Sequence, residues 1–102
     1  MGEWINRPSM SSTTPHLKAR FARAKFRSWH RGTREADYTF GGYYDRYSGE
    51  WGEAELIWFE ALLDEDDVDV LAWAFKTAEV PSRFEGAMMA ALQRLDFVDI
   101  PR

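Results

Sequence analysis

The chain has 102 residues, 45% of them hydrophobic and 29% charged, which suits one globular domain with one core and excludes a disordered chain. It has no cysteine, so disulfides, thiol nucleophiles and thiolate metal sites are excluded; its apolar runs fall far short of the ~20 residues a membrane helix needs, and the N-terminus lacks the apolar core of a secretory signal, so a cytoplasmic location is expected. The net charge of −4 conceals a split, since residues 1–34 carry eight Lys/Arg against one acid while residues 35–102 carry five against sixteen.

Such a split suits either an acidic partner, nucleic acid included, or a basic helix lying against the acidic body of its own chain. The second reading needs no partner and is the simpler. Along the chain, residues 1–16 read as a flexible N-terminal tail, because Ser9-Met10-Ser11-Ser12-Thr13-Thr14 is small and polar and can bury little. Thr14-Pro15 offers an N-cap and a first-turn proline for a helix reaching His30, with Gly32 as its stop. Its apolar residues form two opposed sets, Leu17, Phe21, Ala24 and Ala22, Phe26, Trp29, of which a straight helix can bury one; the second half of the segment carries the clearer helical pattern.

A second helix is predicted from Thr33 as N-cap, with Ala36, Phe40, Tyr43 and Tyr47 along one face. Gly41-Gly42 inside it costs roughly 1 kcal/mol per glycine against alanine, so either tertiary packing overrides that cost or the helix bends. Ser48–Gly52 reads as a loop. The third helix spans about Glu53 to Leu63, with Leu56, Phe59 and Leu63 inward and Trp58 and Leu62 beside them. Asp64–Asp67 closes it, and Asp67 is the expected cap of a fourth helix over Val68–Lys76, with Leu71, Ala74 and Phe75 inward. Val80-Pro81 is a break. Ser82-Arg83-Phe84-Glu85 has the spacing of a capping box and is expected to open a fifth helix whose stripe is Phe84, Met88, Ala91 and Leu95. Residues 98–102 form a C-terminal tail after a single domain over 17–97. The fold class that follows is all-α, a compact bundle of four or five short helices.

Reaction chemistry is harder to find. Catalysis needs a nucleophile with a base, or a matched acid and base. The two histidines, His16 and His30, are not spaced as a metal-binding pair and read as solvated surface residues, so no catalytic residue and no metal ligand is assigned. The glycines follow neither common phosphate-cradling pattern. The acidic run Asp64–Asp67 with Asp69 lacks the glycine and distal glutamate of a calcium loop and reads as a charged junction between helices. Of the aromatics, Trp4, Trp29, Trp58 and Trp73 read as core or half-buried. Trp51 and the pair Tyr43/Tyr44 are less easily placed, because a loop and alternate helix faces expose them, and exposed aromatics beside charges suit a protein interface.

The segment Arg27-Ser28-Trp29-His30-Arg31-Gly32-Thr33-Arg34-Glu35-Ala36-Asp37 lies where the basic stretch turns acidic. At helical spacing Arg31 and Glu35 would share one surface, and the glycine between them would let another backbone come close. That describes a docking patch. Spacing alone describes equally an ordinary surface ion pair worth under ~1 kcal/mol.

The stretch Phe26–Asp37 resembles the SdhE-type FAD assembly factors, small bacterial relatives of mitochondrial succinate dehydrogenase assembly factor 2, whose hallmark Arg-Gly-x-x-Glu is here Arg31, Gly32 and Glu35. The likeness continues through Gly52-Glu53-Ala54-Glu55-Leu56, Phe59–Asp64 and Asp67–Trp73, and covers roughly residues 24–95. It departs at Gly52, where relatives have serine, at Val68, where many have proline, and at Gly41-Gly42, unusual in a family helix. The resemblance implies a small all-helical domain that is not itself an enzyme. Such a protein binds the flavoprotein subunit of succinate dehydrogenase, or of fumarate reductase, and promotes covalent attachment of FAD to that client. It implies that Arg31, Gly32 and Glu35, flanked by Arg34 and Asp37, meet the client near its flavin, that FAD is not held tightly by this chain, and that the free protein is a monomer. The alternative is a nucleic-acid-binding or regulatory module using the basic segment 18–34, for which binding would be salt-sensitive; the acidic remainder and the lack of a reading helix weigh against it. A third reading, a small enzyme, lacks active-site residues.

Overall fold

The computed structural model describes residues 9–97, with side chains from His16 onward. Five α-helices follow one another: α1 (Ser9–Ser28), α2 (Arg34–Tyr47), α3 (Glu53–Leu63), α4 (Asp67–Ala74) and α5 (Ala87–Arg94), with single 3₁₀ turns at Ser48–Glu50 and Ser82–Phe84. Among the described residues there is no strand, in keeping with the all-α bundle the sequence predicts. Trp4 and residues 1–8 of the expected N-terminal tail lie outside the described residues, as does the expected C-terminal tail at 98–102.

α1 begins by Ser9, so Thr14-Pro15 does not open it. Capping residues mark a start only where the preceding chain leaves the helix, and here the chain is already helical. The helix also ends earlier than predicted, at Ser28. Trp29 N–H reaches back to both Lys25 O and Phe26 O, and His30 N–H to Arg27 O, a tightening that closes a helix end without a glycine. Of the two apolar sets, Leu17, Phe21 and Ala24 face the core, while Phe26 is 63% exposed. Two basic side chains of this helix meet acids of α3 and its C-cap: Arg20 donates to Glu60 at 2.7 and 3.1 Å and to Glu53 at 2.9 Å, and Arg27 to Asp64 at 2.8 Å. Much of the charge split is therefore answered within the chain, although exposed pairs of this kind contribute only ~0–1 kcal/mol each.

α2 starts where the sequence places it. Thr33 has an extended backbone and its Oγ1 accepts from Ala36 N at 3.2 Å. Ala36, Phe40 and Tyr43 are essentially inaccessible, and the helix runs unbroken through Gly41-Gly42 because packing demands both gaps. A Cβ on Gly41 would overlap the Trp29 indole, and one on Gly42 would lie 2.9 Å from Phe97 O.

The placement left open for Tyr43, Tyr44 and Trp51 is decided by packing, and the exposure suggested for them is corrected. Tyr43 is 0% and Tyr44 8% exposed, and Trp51 packs against both at ring separations of 5.6 and 5.7 Å and against Phe59 at 5.1 Å. Their hydroxyls explain why a tyrosine can be core here: Tyr43 donates to Met88 O at 2.8 Å and Tyr44 to Phe21 O at 3.0 Å, so each polar end is satisfied as the ring is buried. Each such ring contributes roughly 2–3 kcal/mol through burial. α3 matches its predicted span and buries Leu56, Phe59, Leu62 and Leu63. Its start is held by Glu55, whose carboxylate accepts from Gly52 N at 2.8 Å.

The last third corrects the sequence reading in both remaining helices. Asp67 is the first residue of α4 rather than its cap. The helix ends at Ala74, and its buried residues are Val70, Trp73 and Ala74, with Phe75 49% exposed. The stop is a left-handed Lys76 (φ 65°), with Thr77 N–H bonded to Ala72 O and Lys76 N–H to Trp73 O. This is the bonding that usually accompanies a glycine, so no glycine announced it. The predicted capping box at Ser82–Glu85 is also absent: Ser82 starts only a 3₁₀ turn, Glu85 is extended, and α5 opens after Gly86 at φ 138°. Phe84 is buried from that turn against Trp58 and Trp73, and Met89, Ala91 and Leu92 form the buried face of α5.

Candidate functional site

The hallmark residues fall on the turn 29–33 and the first turn of α2. Gly32 stands at φ 114° with nothing within 4 Å of where a Cβ would lie. That backbone is open only to glycine at low cost, so the glycine sets the direction in which the chain leaves α1 and enters α2. Asp37 clamps the turn from the far side, its Oδ1 accepting from Arg31 N at 2.6 Å.

Arg31 does not lie on a helix and does not face Glu35. Its side chain, 12% exposed, turns inward to the corner between α3 and α4. Nε donates to Asp67 Oδ1 at 2.8 Å, and NH2 also lies 2.8 Å from that oxygen. NH1 donates to Leu63 O at 2.8 Å and NH2 to Glu65 O at 3.1 Å. The guanidinium sits over the Phe40 ring at 4.2 Å from its centroid. Leu63 O is one of the carbonyls a helix end leaves without an intrahelical partner, and Arg27 also donates to it at 3.2 Å. A planar fork with five donors serves two carbonyls and a carboxylate at once; an ammonium group cannot reproduce that geometry. The predicted Arg31–Glu35 surface pair is thus replaced by a different division of labour. Arg31 holds the corner, while Gly32, Arg34 and Glu35 remain exposed on the outside of it. The junction reading of Asp64–Asp67 matches this geometry, with Asp64 taken by Arg27 and Asp67 by Arg31.

Beside the exposed trio the surface is concave. A cleft of about 610 Å³ is lined by Trp29, His30, Gly32, Arg34, Asp37 and Tyr38, among others. The Trp29 and Tyr38 rings meet edge-on at 6.1 Å. His30 stacks on exposed Phe26 at 4.0 Å, its Nδ1–H donating to Phe26 O at 2.7 Å. Sequence reasoning found Arg34 and Asp37 but missed Trp29, His30 and Tyr38 as cleft residues. The one signal that could have found Trp29 is Gly41, an interior helix glycine that marks a close neighbour. Among the described residues, no group of three or more His, Asp or Glu is placed to hold a metal ion, and no helix is long and apolar enough to cross a membrane.

The sequence model of the family described as flavinator of succinate dehydrogenase matches residues 22–96. The chain is 34% identical over 79 residues to the FAD assembly factor SdhE of Acetobacter pasteurianus, covering 72% of each protein. It is 36% identical over 64 residues to the mitochondrial succinate dehydrogenase assembly factor 2 of Scheffersomyces stipitis, covering 63% of this chain and 43% of that protein. To the protein of the same description from Saccharomyces cerevisiae it is 31% identical over 80 residues, covering 76% and 49%. The chain thus spans about half the length of the mitochondrial relatives and most of the bacterial one.

Proposed function

Because this chain belongs to the flavinator of succinate dehydrogenase family, we propose that it docks on the flavoprotein subunit of succinate dehydrogenase and promotes covalent attachment of FAD there, without supplying a reacting group. Fumarate reductase, whose flavoprotein presents the same chemical task, is the second client of this reading. This chain holds no FAD tightly, and it is a monomer when free. The observation that carries the proposal is the outward face of the turn: Gly32, Arg34 and Glu35 exposed beside an aromatic-walled cleft, on a backbone that Arg31 and Asp37 hold rigid from within.

The physical role of such a surface is to choose among conformations of the client. A protein that binds one arrangement of its partner better than the others raises the population of that arrangement by its differential affinity. A prebuilt turn suits that task, since little ordering cost falls on the binding step. Here the favoured arrangement is the one in which the client's own nucleophile faces the flavin. The alternative use of segment 18–34 for nucleic acid is not favoured, because Arg20, Arg27 and Arg31 within it are engaged with acids of the same chain.

Covalent flavin fluorescence of the succinate dehydrogenase flavoprotein on a denaturing gel tests this in a strain lacking the gene. Wild type should restore the band and Glu35→Ala should restore much less, at unchanged protein level. A band of full strength in the deletion strain would remove succinate dehydrogenase as the client.

A further inference from the structure

We propose that Trp29 is a positioning residue: its indole, seated in the gap that Gly41 leaves in α2, fixes the pose of the turn that meets the flavoprotein. The inference rests on the docking reading above and adds to it a part that neither the hallmark residues nor the fold class names.

The turn 29–33 needs a hold at each end. At its far end the hold is polar, through Arg31 on the α3–α4 corner and Asp37 on the Arg31 amide. At its near end no ion pair or side-chain hydrogen bond of Trp29 exists among the described residues. Beyond the backbone bonds that close α1 and the His30 Nδ1–H bond to Phe26 O, what Trp29 adds there is steric. Trp29 is the first residue beyond α1, and its ring lies so close to the backbone of Gly41 that a Cβ at that position would overlap three of its atoms. Tyr38, one turn earlier on α2, meets the same ring edge-on at 6.1 Å. A flat ring pressed on a helix backbone at a glycine can neither slide nor tilt far without striking the side chains on either side. Gly32, directly after Arg31, has open space around it, so its pose is inherited from these holds.

Burial alone does not account for this arrangement. Trp29 is only half-buried and lines the cleft. Glycine is disfavoured in a helix interior, yet α2 accepts one where alanine would suit the helix better. The gap serves the ring, and the ring serves the turn.

The test is a double-mutant cycle on the full chain, read by thermal midpoint and by affinity for the purified flavoprotein subunit. In the wild-type background Gly41→Ala should lower the midpoint, because the new methyl strikes the indole. In the Trp29→Ala background the same change should raise it, because alanine favours the helix and nothing is left to strike. The variant W29A/G41A, folded and with its midpoint recovered relative to G41A, should still bind the flavoprotein about tenfold more weakly, as expected of a turn in the docking pose about a tenth of the time. Trp29→Phe, which keeps a ring over Gly41, should stay close to wild-type affinity. Equal lowering of the midpoint by Gly41→Ala in both backgrounds would overturn the lock, and wild-type affinity in W29A/G41A would overturn its positioning role. If the wild-type chain itself does not bind the flavoprotein, the docking reading falls. Amide exchange at residues 30–33 then decides the lock separately: faster exchange in W29A/G41A than in wild type supports it, and unchanged exchange overturns it.

Discussion

Two turns of this molecule use the same backbone device to different ends. Gly32, between α1 and α2, and Gly86, before α5, both stand at positive φ with open space around them, and each borders a cleft. The cleft at Gly86, near Lys76 and Gln93, is the larger, at about 670 Å³. Yet the Gly86 turn is anchored by neutral contacts and one exposed ion pair: Gln93 donates to Trp73 O at 3.1 Å, Tyr43 donates to Met88 O on α5, and Arg83, 61% exposed, meets Glu65 at 3.0 Å. The Gly32 turn is anchored by a nearly buried guanidinium with a carboxylate and two carbonyls, by Asp37, and by an indole on a glycine. Cavity size therefore does not separate the two turns, whereas the stiffness of the frame around each does. A surface that selects a partner's conformation must not itself yield, and the Gly32 turn is built that way.

The largest way to break this contrast is Arg31→Ala. It leaves Asp67 and Glu65 O without their Arg31 partner and Leu63 O with Arg27 alone, in a mostly buried corner, and should cost on the order of 3 kcal/mol in urea unfolding, with Arg31→Lys recovering only part. A loss near zero would mean the Gly32 turn is no better anchored than its counterpart. Next are the glycines. Gly32→Ala and Gly86→Ala should each destabilise by roughly 1–2 kcal/mol, since alanine resists those φ values. Only the first should also reduce flavinylation of the client beyond what its stability loss explains; equal effects on flavinylation would erase the distinction between the turns.

Tyr43→Phe probes the neutral anchor. It removes the bond to Met88 O and should cost about 1 kcal/mol at neutral pH. It should also alter the response to alkali. Burial pushes the Tyr43 phenol well above its ordinary range, with Tyr47 adding to the rise, so the folded state holds a proton that the unfolded chain releases near pH 10. Stability from this group is fully present below about pH 10 and is lost as pH rises from there toward the folded value. Wild-type stability should therefore fall above about pH 10, and the variant's should fall less. Parallel decline of the two in a denaturation series from pH 8 to 11 would place the alkaline sensitivity elsewhere. The smallest stability effect belongs to Glu35→Ala, within about 0.5 kcal/mol because the side chain is exposed, against a clear loss of flavinylation. That pairing of small stability change and large functional change is the sharpest mark of a contact surface.

Much of this was legible in the chain. Thr33 as cap of α2, the stripe Ala36, Phe40, Tyr43, the span of α3 and the all-helical class follow from patterns that repeat within three or four residues, because helix bonds and helix faces are local. The hallmark Arg-Gly-x-x-Glu located the turn. What failed did so where the deciding partner is distant in sequence. The apparent capping box at Ser82 lost to Gly86 and the burial of Phe84 between two tryptophans. The stop of α4 is a local exception, a left-handed lysine that no composition signal marks. Tyr44 and Trp51 were harder to place because what they meet, the Phe21 carbonyl and the Phe59 ring, belongs to other helices.

By itself, then, the sequence determined five helical segments, the basic-to-acidic division and the place of the hallmark turn, since each depends on neighbours along the chain. Only the tertiary structure decided what the hallmark residues do. Arg31 is spent inward because the open carbonyl of α3 and the carboxylate of Asp67, more than thirty residues away, meet at its guanidinium. Gly41 is a glycine because Trp29 arrives there from the end of another helix. Contacts of that reach are fixed by packing in three dimensions, and no local spacing encodes them.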